Sequence, residues 1–353
     1  MNAIEFKNVV KTYPEFTLGP INLAVKKGEF FGIFGPPSTG KTSILKLILG
    51  LLEPDEGQIT LMDKDASELE VAERDISMVF QNLALFPHMT GRENVIFPLK
   101  ERGASEADIS QQLDFVSEVL HISHILHKNP SQMSGGERQR IALGRAFAAD
   151  SRAMLLDEPI AALDARLREE MRVELKRLQR ENNQTFVYVS HDEEEVMAIS
   201  DRVAVIIGGN IAQIGTPDDV YSRPNSLAVA EVIGTPPMNL FKGRFSSDGM
   251  FFEAENLNAR IPILGETKRG GNATLGIRPE DIWLESDENS ATFDLKISTV
   301  EPLGGYTILN ALLGDQIVKI RAPGQVHIEG GSDQKVAFDQ RRIHLFDDEG
   351  ARL

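Results

Sequence analysis

The stretch GPPSTGKT, residues 35–42, constrains the fold more than any other in the chain. It fits G-x-x-x-x-G-K-[ST], a loop whose backbone amides face phosphate oxygens, and such a loop needs a strand feeding it and a helix leaving it. Both flanks comply: the β-rich INLAVKKGEFFGIF leads in and the apolar helical pattern SILKLILGLL leads out. In that setting Gly35 opens the turn and the amides of Ser38, Thr39, Gly40, Lys41 and Thr42 point at phosphate, with Ser43 following on the helix. Lys41 is placed to reach the outer phosphates, and Thr42 to hold magnesium. A second stretch, QMSGGERQR at 132–140, also sets a serine and two glycines, Ser134, Gly135 and Gly136, ahead of a helix-forming run. One chain therefore offers two phosphate cradles.

Downstream, strand-like and helical patterns alternate: RAMLL, the charged run DARLREEMRVELKRLQRE, TFVYVS, a short helix from Asp192, and RVAVII. Alternation of this kind predicts a parallel sheet covered by helices. Residues 88–150 read as an inserted helical lobe, with SEADISQQLDFVSEVLHI placing apolar residues at helical spacing behind a serine N-cap. After GTPPMN the texture changes to short β-like runs such as NATLGIRPEDIWLE, FDLKISTVEPL and DQIVKIRAP, separated by glycines and acidic turns. At 353 residues the chain is too long for one average core, and the reading is an α/β domain over 1–234 and an all-β domain over 235–353.

Two carboxylates end the apolar strand in RAMLLDEP. Consecutive strand residues face opposite ways, so Asp157 suits a magnesium shell and Glu158 an attacking water. His191, in YVSHDE, sits at the end of another strand, on the sheet edge where open α/β folds bind ligands; the competing reading is a surface histidine capping a turn. Gln81, after ISMVF, is a candidate to position water or metal, against a solvated glutamine. The histidines of HISHILH diverge around a helix and read as a surface helix rather than a metal site. The run DEEE at 192–195 reads as acidity favouring a helix start.

Composition narrows the partners. With 53 acidic against 37 basic side chains and a formal charge of −16, nonspecific nucleic-acid binding is disfavoured. Zero cysteines exclude disulfides, thiolate zinc sites and cysteine nucleophiles. No apolar run approaches the roughly 20 residues of a spanning helix, which predicts a soluble chain that meets any membrane through a partner.

The order of motifs (phosphate loop, Gln81, SGGE, LLDEP, ALD, His191) resembles the ATP-binding cassette ATPases. In that family the Ser-Gly-Gly signature binds the γ-phosphate of a nucleotide held by a second subunit's P-loop, so two cradles on one chain imply two shared sites per dimer. MVFQNLALFPHMTGREN, NPSQMSGGERQRIALGRAF, LLDEPIAALDARLRE and YVSHDEEEVMAISDR resemble the ATPase subunits of bacterial carbohydrate importers of the maltose type. LGIRPEDI, VEPLGG and RRIHLFDDEGARL resemble that group's C-terminal regulatory (TOBE) domain of OB-like character.

The resemblance implies an ABC ATPase core with an N-terminal antiparallel β subdomain, hydrolysing ATP with Mg2+ on the cytoplasmic face of the cell membrane. The implied partners are transmembrane permease subunits, a second ATPase subunit identical or paralogous, and indirectly a solute-binding protein; nucleic acid is not among them. Carried over, Tyr13 stacks on adenine, with a core aromatic as the alternative, Gln81 is the Q-loop glutamine, Asp164 the D-loop aspartate, and 86–94 meets the permease. Polyamine, iron or sulfate import, or a mainly regulatory or nucleic-acid-associated role, are the alternatives. Ser38 replaces a usual loop glycine, Met133 a usual leucine, and Ala161 and Ala162 stand where the D-loop is commonly polar. Glu137 replaces a usual glutamine, so that either Arg138 or Arg140 neutralises it or its charge weakens ATP-driven closure.

Overall fold

The computed structural model describes residues 1–255, 260–263, 271–284, 291–313 and 316–353. It forms two units, residues 1–218 and 219–353. In chain order the first unit contains β1 (Asn2–Tyr13), β2 (Phe16–Lys26), β3 (Phe30–Phe34), α1 (Lys41–Leu49), β4 (Glu56–Leu61), β5 (Lys64–Asp65), β6 (Ile76–Val79) and α2 (Gly91–Glu101). It continues with α3 (Glu106–Val119), α4 (Gly135–Ala148), β7 (Ala153–Asp157), α5 (Ala165–Asn182), β8 (Thr185–Val189), α6 (Glu193–Ile199), β9 (Arg202–Ile207) and β10 (Asn210–Gly215).

An antiparallel sheet of order β2-β1-β4-β5 packs beside a six-stranded sheet of order β10-β9-β3-β8-β7-β6, in which all pairs but β10–β9 are parallel. Continuous apolar runs build the parallel strands: every residue of FFGIF, AMLLD and TFVYV is buried, as both faces of a helix-covered sheet require. Ile33, Leu155 and Val187 share one core with Ile44, Leu45 and Ile48 of α1, which locks the phosphate-loop helix against the sheet. Caps set the helix starts: Thr90 with Glu93, Ser105, Asp164 and Asp192 each accept an N–H of the first turn.

HISHILH differs from the expected helix. Its centre is a single 3₁₀ turn, Ser123–Ile125, entered through His121 at φ 51°. Ile122 and Ile125 are both fully buried, and the three-residue period of the turn stacks them on one face.

α7 (Pro217–Ser222) spans the limit between the units, and the second unit goes on with α8 (Leu227–Val232). Its strands are β11 (Asn239–Phe245), β12 (Phe251–Ala254), β13 (Arg260–Pro262), β14 (Asn272–Ile277), β15 (Ile282–Trp283), β16 (Ala291–Pro302), β17 (Tyr306–Leu313), β18 (Gln316–Pro323), β19 (Asp333–Phe338) and β20 (His344–Phe346). They pair as two five-stranded sheets, β13-β12-β11-β14-β20 and β15-β19-β16-β17-β18, all antiparallel. Phe241, Phe252 and Leu275 from one sheet share a core with Phe293, Leu309 and Phe338 from the other, the all-β domain that the texture predicts. Among the described residues no helix is long and apolar enough to cross a membrane.

Candidate functional site

Parallel strands bring their C-terminal ends to one edge, and the register aligns the candidate residues there. Ile33 of β3 and Asp157 of β7 both lie opposite Val189 of β8, while Val79 of β6 lies opposite Leu156. The next few residues of those strands are the phosphate loop, Glu158, His191 and Gln81, and they converge on one cleft of about 660 Å³. Tyr13, Ser38, Thr39, Gly40, Lys41, Thr42, Ser43 and Asp157 line the same cleft.

Two glycines make the loop possible. A Cβ on Gly35 would lie 2.2 Å from the Ile206 carbonyl oxygen, and Gly40 holds φ 94° as it caps α1. Ser38 also takes a left-handed turn, φ 62°, a conformation that costs a serine on the order of 1 kcal/mol more than a glycine. Lys41 is buried and donates from Nζ to the carbonyls of Gly35 and Pro36, both at 2.7 Å. Burial lowers its pKa, opposed by the nearby charges of Glu158 and Asp157. At the cleft mouth Tyr13 donates to Ser43 Oγ at 3.0 Å and stacks on Phe16, ring centroids 6.1 Å apart. Phe16 itself lines the cleft and was not singled out by sequence, where it reads as one more apolar strand residue.

Both carboxylates line the cleft, Asp157 at the end of β7 and Glu158 just past it. Asp157 is buried beside Thr42, whose Oγ1 is 3.3 Å from Oδ1, and burial raises its pKa above the usual carboxylate range. An undercompensated buried carboxylate next to a threonine hydroxyl is a donor set that suits a hard cation. Glu158 turns into the left-handed region, φ 50°, which redirects its side chain. Gln81 Nε2 donates to Glu158 Oε2 at 3.0 Å, and His191 Nδ1 lies 2.7 Å from Oε1. An ionised carboxylate can only accept, so the proton of that contact sits on His191 Nδ1.

The turn bearing His191 is fixed by Ser190, whose Oγ accepts from Asp192 N at 3.0 Å and donates to Glu195 at 2.8 Å. Glu195 is 3% exposed, so one member of DEEE is a buried anchor, not only acidity at a helix start.

Ser134, Gly135, Gly136 and Asp164 do not line this cleft. Ser134 caps α4 and Asp164 caps α5, accepting from Leu167 N at 3.0 Å. Glu137 closes a capping box: it accepts from Ser134 N at 2.7 Å, and its own N–H donates to Ser134 Oγ. Neither Arg138 nor Arg140 neutralises it, as the sequence suggested. Lys128 does, 2.7 Å from Oε1, and holds its pKa down at about 2 together with the Ser134 amide. Arg138 instead donates to the Met133 carbonyl.

Arg145, further along α4, donates to the carbonyls of Leu83 and Ala84 at 3.0 and 2.7 Å and lies 5.5 Å from the Phe86 ring centroid. Fully buried Asn94 bonds Phe86, Met89 and Thr90. The loop after Gln81 is thus tied from two helices by residues with no local sequence signal.

Residues 18–161 match the ABC transporter family, 234–282 the MalK OB fold domain and 275–346 the TOBE domain. The chain is 42% identical to the xylose/arabinose import ATP-binding protein XacK of Haloferax volcanii, over 99% of this chain and 94% of that one. It is 38% identical to the sn-glycerol-3-phosphate import ATP-binding protein UgpC of Escherichia coli O157:H7, over 99% of both. Against the sulfoquinovosyl glycerol transport ATP-binding protein SmoE of Agrobacterium fabrum it is 36% identical over 98% of both. The dimeric structure of MJ0796, a bacterial ABC transporter cassette, matches with TM-score 0.57 and 30% identity, over 61% of this chain and 98% of that one. Identity of this level along the full length, on a fold that gathers the phosphate loop, two carboxylates and a histidine at one sheet edge, places the chain in the ABC transporter family as an ATP-hydrolysing subunit of an importer.

Proposed function

We propose that Glu158 is the general base for ATP hydrolysis in this chain. The observation that carries the proposal is the grip of Gln81 and His191 on the two oxygens of one carboxylate, over the phosphate loop. Each oxygen keeps a lone pair, so Glu158 accepts a proton from the water that attacks the γ-phosphorus as the bond to the ADP oxygen breaks. Lys41 and the amides of 38–42 bind the phosphates, and Tyr13, stacked on Phe16 at the cleft, offers its ring to adenine. Bound magnesium supplies charge neutralisation on the phosphates. Thr42, Asp157 and Gln81 are the residues that would hold it, Gln81 through Oε1 because Nε2 is committed to Glu158.

The signature, 134–136, and Asp164 act on a nucleotide held by a second ATPase subunit, which fits their position away from this chain's own cleft. The loop tied by Arg145 and Asn94 meets the permease, at the cytoplasmic face of the membrane, and a solute-binding protein delivers the cargo outside. The cargo is a sugar, a polyol or its phosphate ester, the class named for XacK, UgpC and SmoE.

In Glu158→Gln the amide cannot take the water's proton. Turnover is expected to fall about 10²- to 10⁴-fold while ATP still binds. Hydrolysis at the wild-type rate in this variant removes Glu158 from the role.

A further inference from the structure

Gln139 lies on α4, five residues past Ser134, and is 2% exposed. Both ends of its amide are used. Nε2 donates to the backbone carbonyl of Glu158 at 3.3 Å, and Oε1 accepts the N–H of Ala162 at 3.2 Å. Ala161 N also reaches the Glu158 carbonyl, at 3.4 Å, and Glu158 N donates to the Val189 carbonyl of β8 at 2.9 Å. A left-handed glutamate persists only where its surroundings fix both of its peptides. Gln139 supplies part of that fixation from the helix that begins at the signature.

We infer that Gln139 is a positioning residue that couples the two ATP sites of a subunit pair. This rests on the shared-site reading given above. Ser134, at the N-terminus of α4, meets the nucleotide of the partner; Gln139, on the same helix, holds the backbone of Glu158, which acts on this chain's own nucleotide. A shift of α4 when the partner's nucleotide is engaged therefore reaches the Glu158 carboxylate and the turn at 161–162 through one side chain. Gly136 lies against the same turn: a Cβ there would be 3.2 Å from the Leu163 side chain. Burial alone does not explain Gln139, because a helix position that served only packing would take an apolar side chain and leave no amide to satisfy.

The test measures the full chain with MgATP in Gln139→Met, which keeps the side-chain volume and removes both hydrogen bonds, and in Gln139→Asn, which keeps the amide and shortens its reach. Thermal melting shows which variants are folded, and either one suffices. Expected are a kcat lower by up to about 10²-fold, as for a slight misplacement of a catalytic group, an unchanged KM for ATP, and a Hill coefficient for ATP that falls toward unity. A merely structural role would lower the melting temperature and leave the Hill coefficient where it was. A folded variant with wild-type kcat and Hill coefficient, or one that changes only KM, overturns the inference. A wild-type chain whose own Hill coefficient for ATP is already unity would instead strike the shared-site reading beneath it.

Discussion

Glu137 shows how a charge beside a phosphate cradle is handled at the scale of one residue. Its carboxylate is 16% exposed and serves two purposes at once: it accepts from Ser134 N to complete the capping box, and it pairs with Lys128. Glutamine can close the same box, so Glu137→Gln removes chiefly the ion pair. The sequence left open whether the charge of Glu137 is neutralised or weakens closure, and the pairing with Lys128 favours neutralisation. We expect a loss of roughly 0.5–1 kcal/mol, as for partly exposed pairs, and no rise in ATPase rate. A double-mutant cycle with Lys128→Met, read by chemical denaturation, should return a coupling energy of that size. Because the folded pKa is depressed from 4.5 to about 2, the contribution is complete above pH 4.5 and is lost as pH falls toward 2. Additive single mutants, or a coupling that does not fade in acid, would contradict the pairing.

At the scale of the element, β20 joins the second unit by placing His344 opposite Gly276 of β14. His344 is 7% exposed, its Nδ1 lacks a partner, and burial with the charges of Arg352, Arg278 and Arg342 lowers its pKa from 6.5 to about 4. The unfolded chain therefore binds the extra proton first, and stability is lost as pH falls from 6.5 toward 4, by on the order of 3 kcal/mol. Asp281 has the opposite sign: burial raises its pKa from 3.8 to about 6, so the folded unit takes up its proton first and gains as pH falls through 6. The two nearly cancel in the wild type. His344→Leu leaves Asp281 unopposed, so the variant should gain on the wild type by roughly 2–3 kcal/mol between pH 7 and pH 4. Trp283, the one tryptophan, lies in β15 of this unit and reports its unfolding by fluorescence. Parallel pH profiles for the two proteins would refute the assignment.

β3, the phosphate loop and α1 were legible in the sequence because a local pattern, period and cap all agree there. The grip on the Glu158 backbone, the Lys128 partner and the buried Glu195 were not, since each depends on segments that only the tertiary fold brings together.

For the whole molecule the open question is where the ATPase part ends. Composition puts the change near 235, and we keep residues 1–234 as the proposed ATPase domain. The segment 219–233, however, is held within the second unit. Arg278, 2% exposed, donates to the carbonyls of Tyr221 and Ile233 at 2.5 and 2.8 Å and lies 3.7 Å from the Tyr221 ring centroid. Tyr221 bonds Glu280, Leu227 N donates to the Gly350 carbonyl at 2.7 Å, and Ala230 packs with Met238 and Phe346. Two truncations separate these contributions. All the residues proposed to handle phosphate lie before 218, so chains ending at Asp218 and at Gly234 should both bind ATP. The longer one, however, keeps Tyr221, Leu227 and Ala230 while losing Arg278, Gly350 and Phe346, which exposes the apolar side of α8. It should therefore be the less soluble of the two and the more prone to self-associate, as measured by light scattering at matched concentration. If the longer chain is the more soluble, the segment 219–233 belongs functionally to the ATPase part despite its contacts. Loss of ATP binding in a folded chain ending at Gly234 would reject the proposed domain outright.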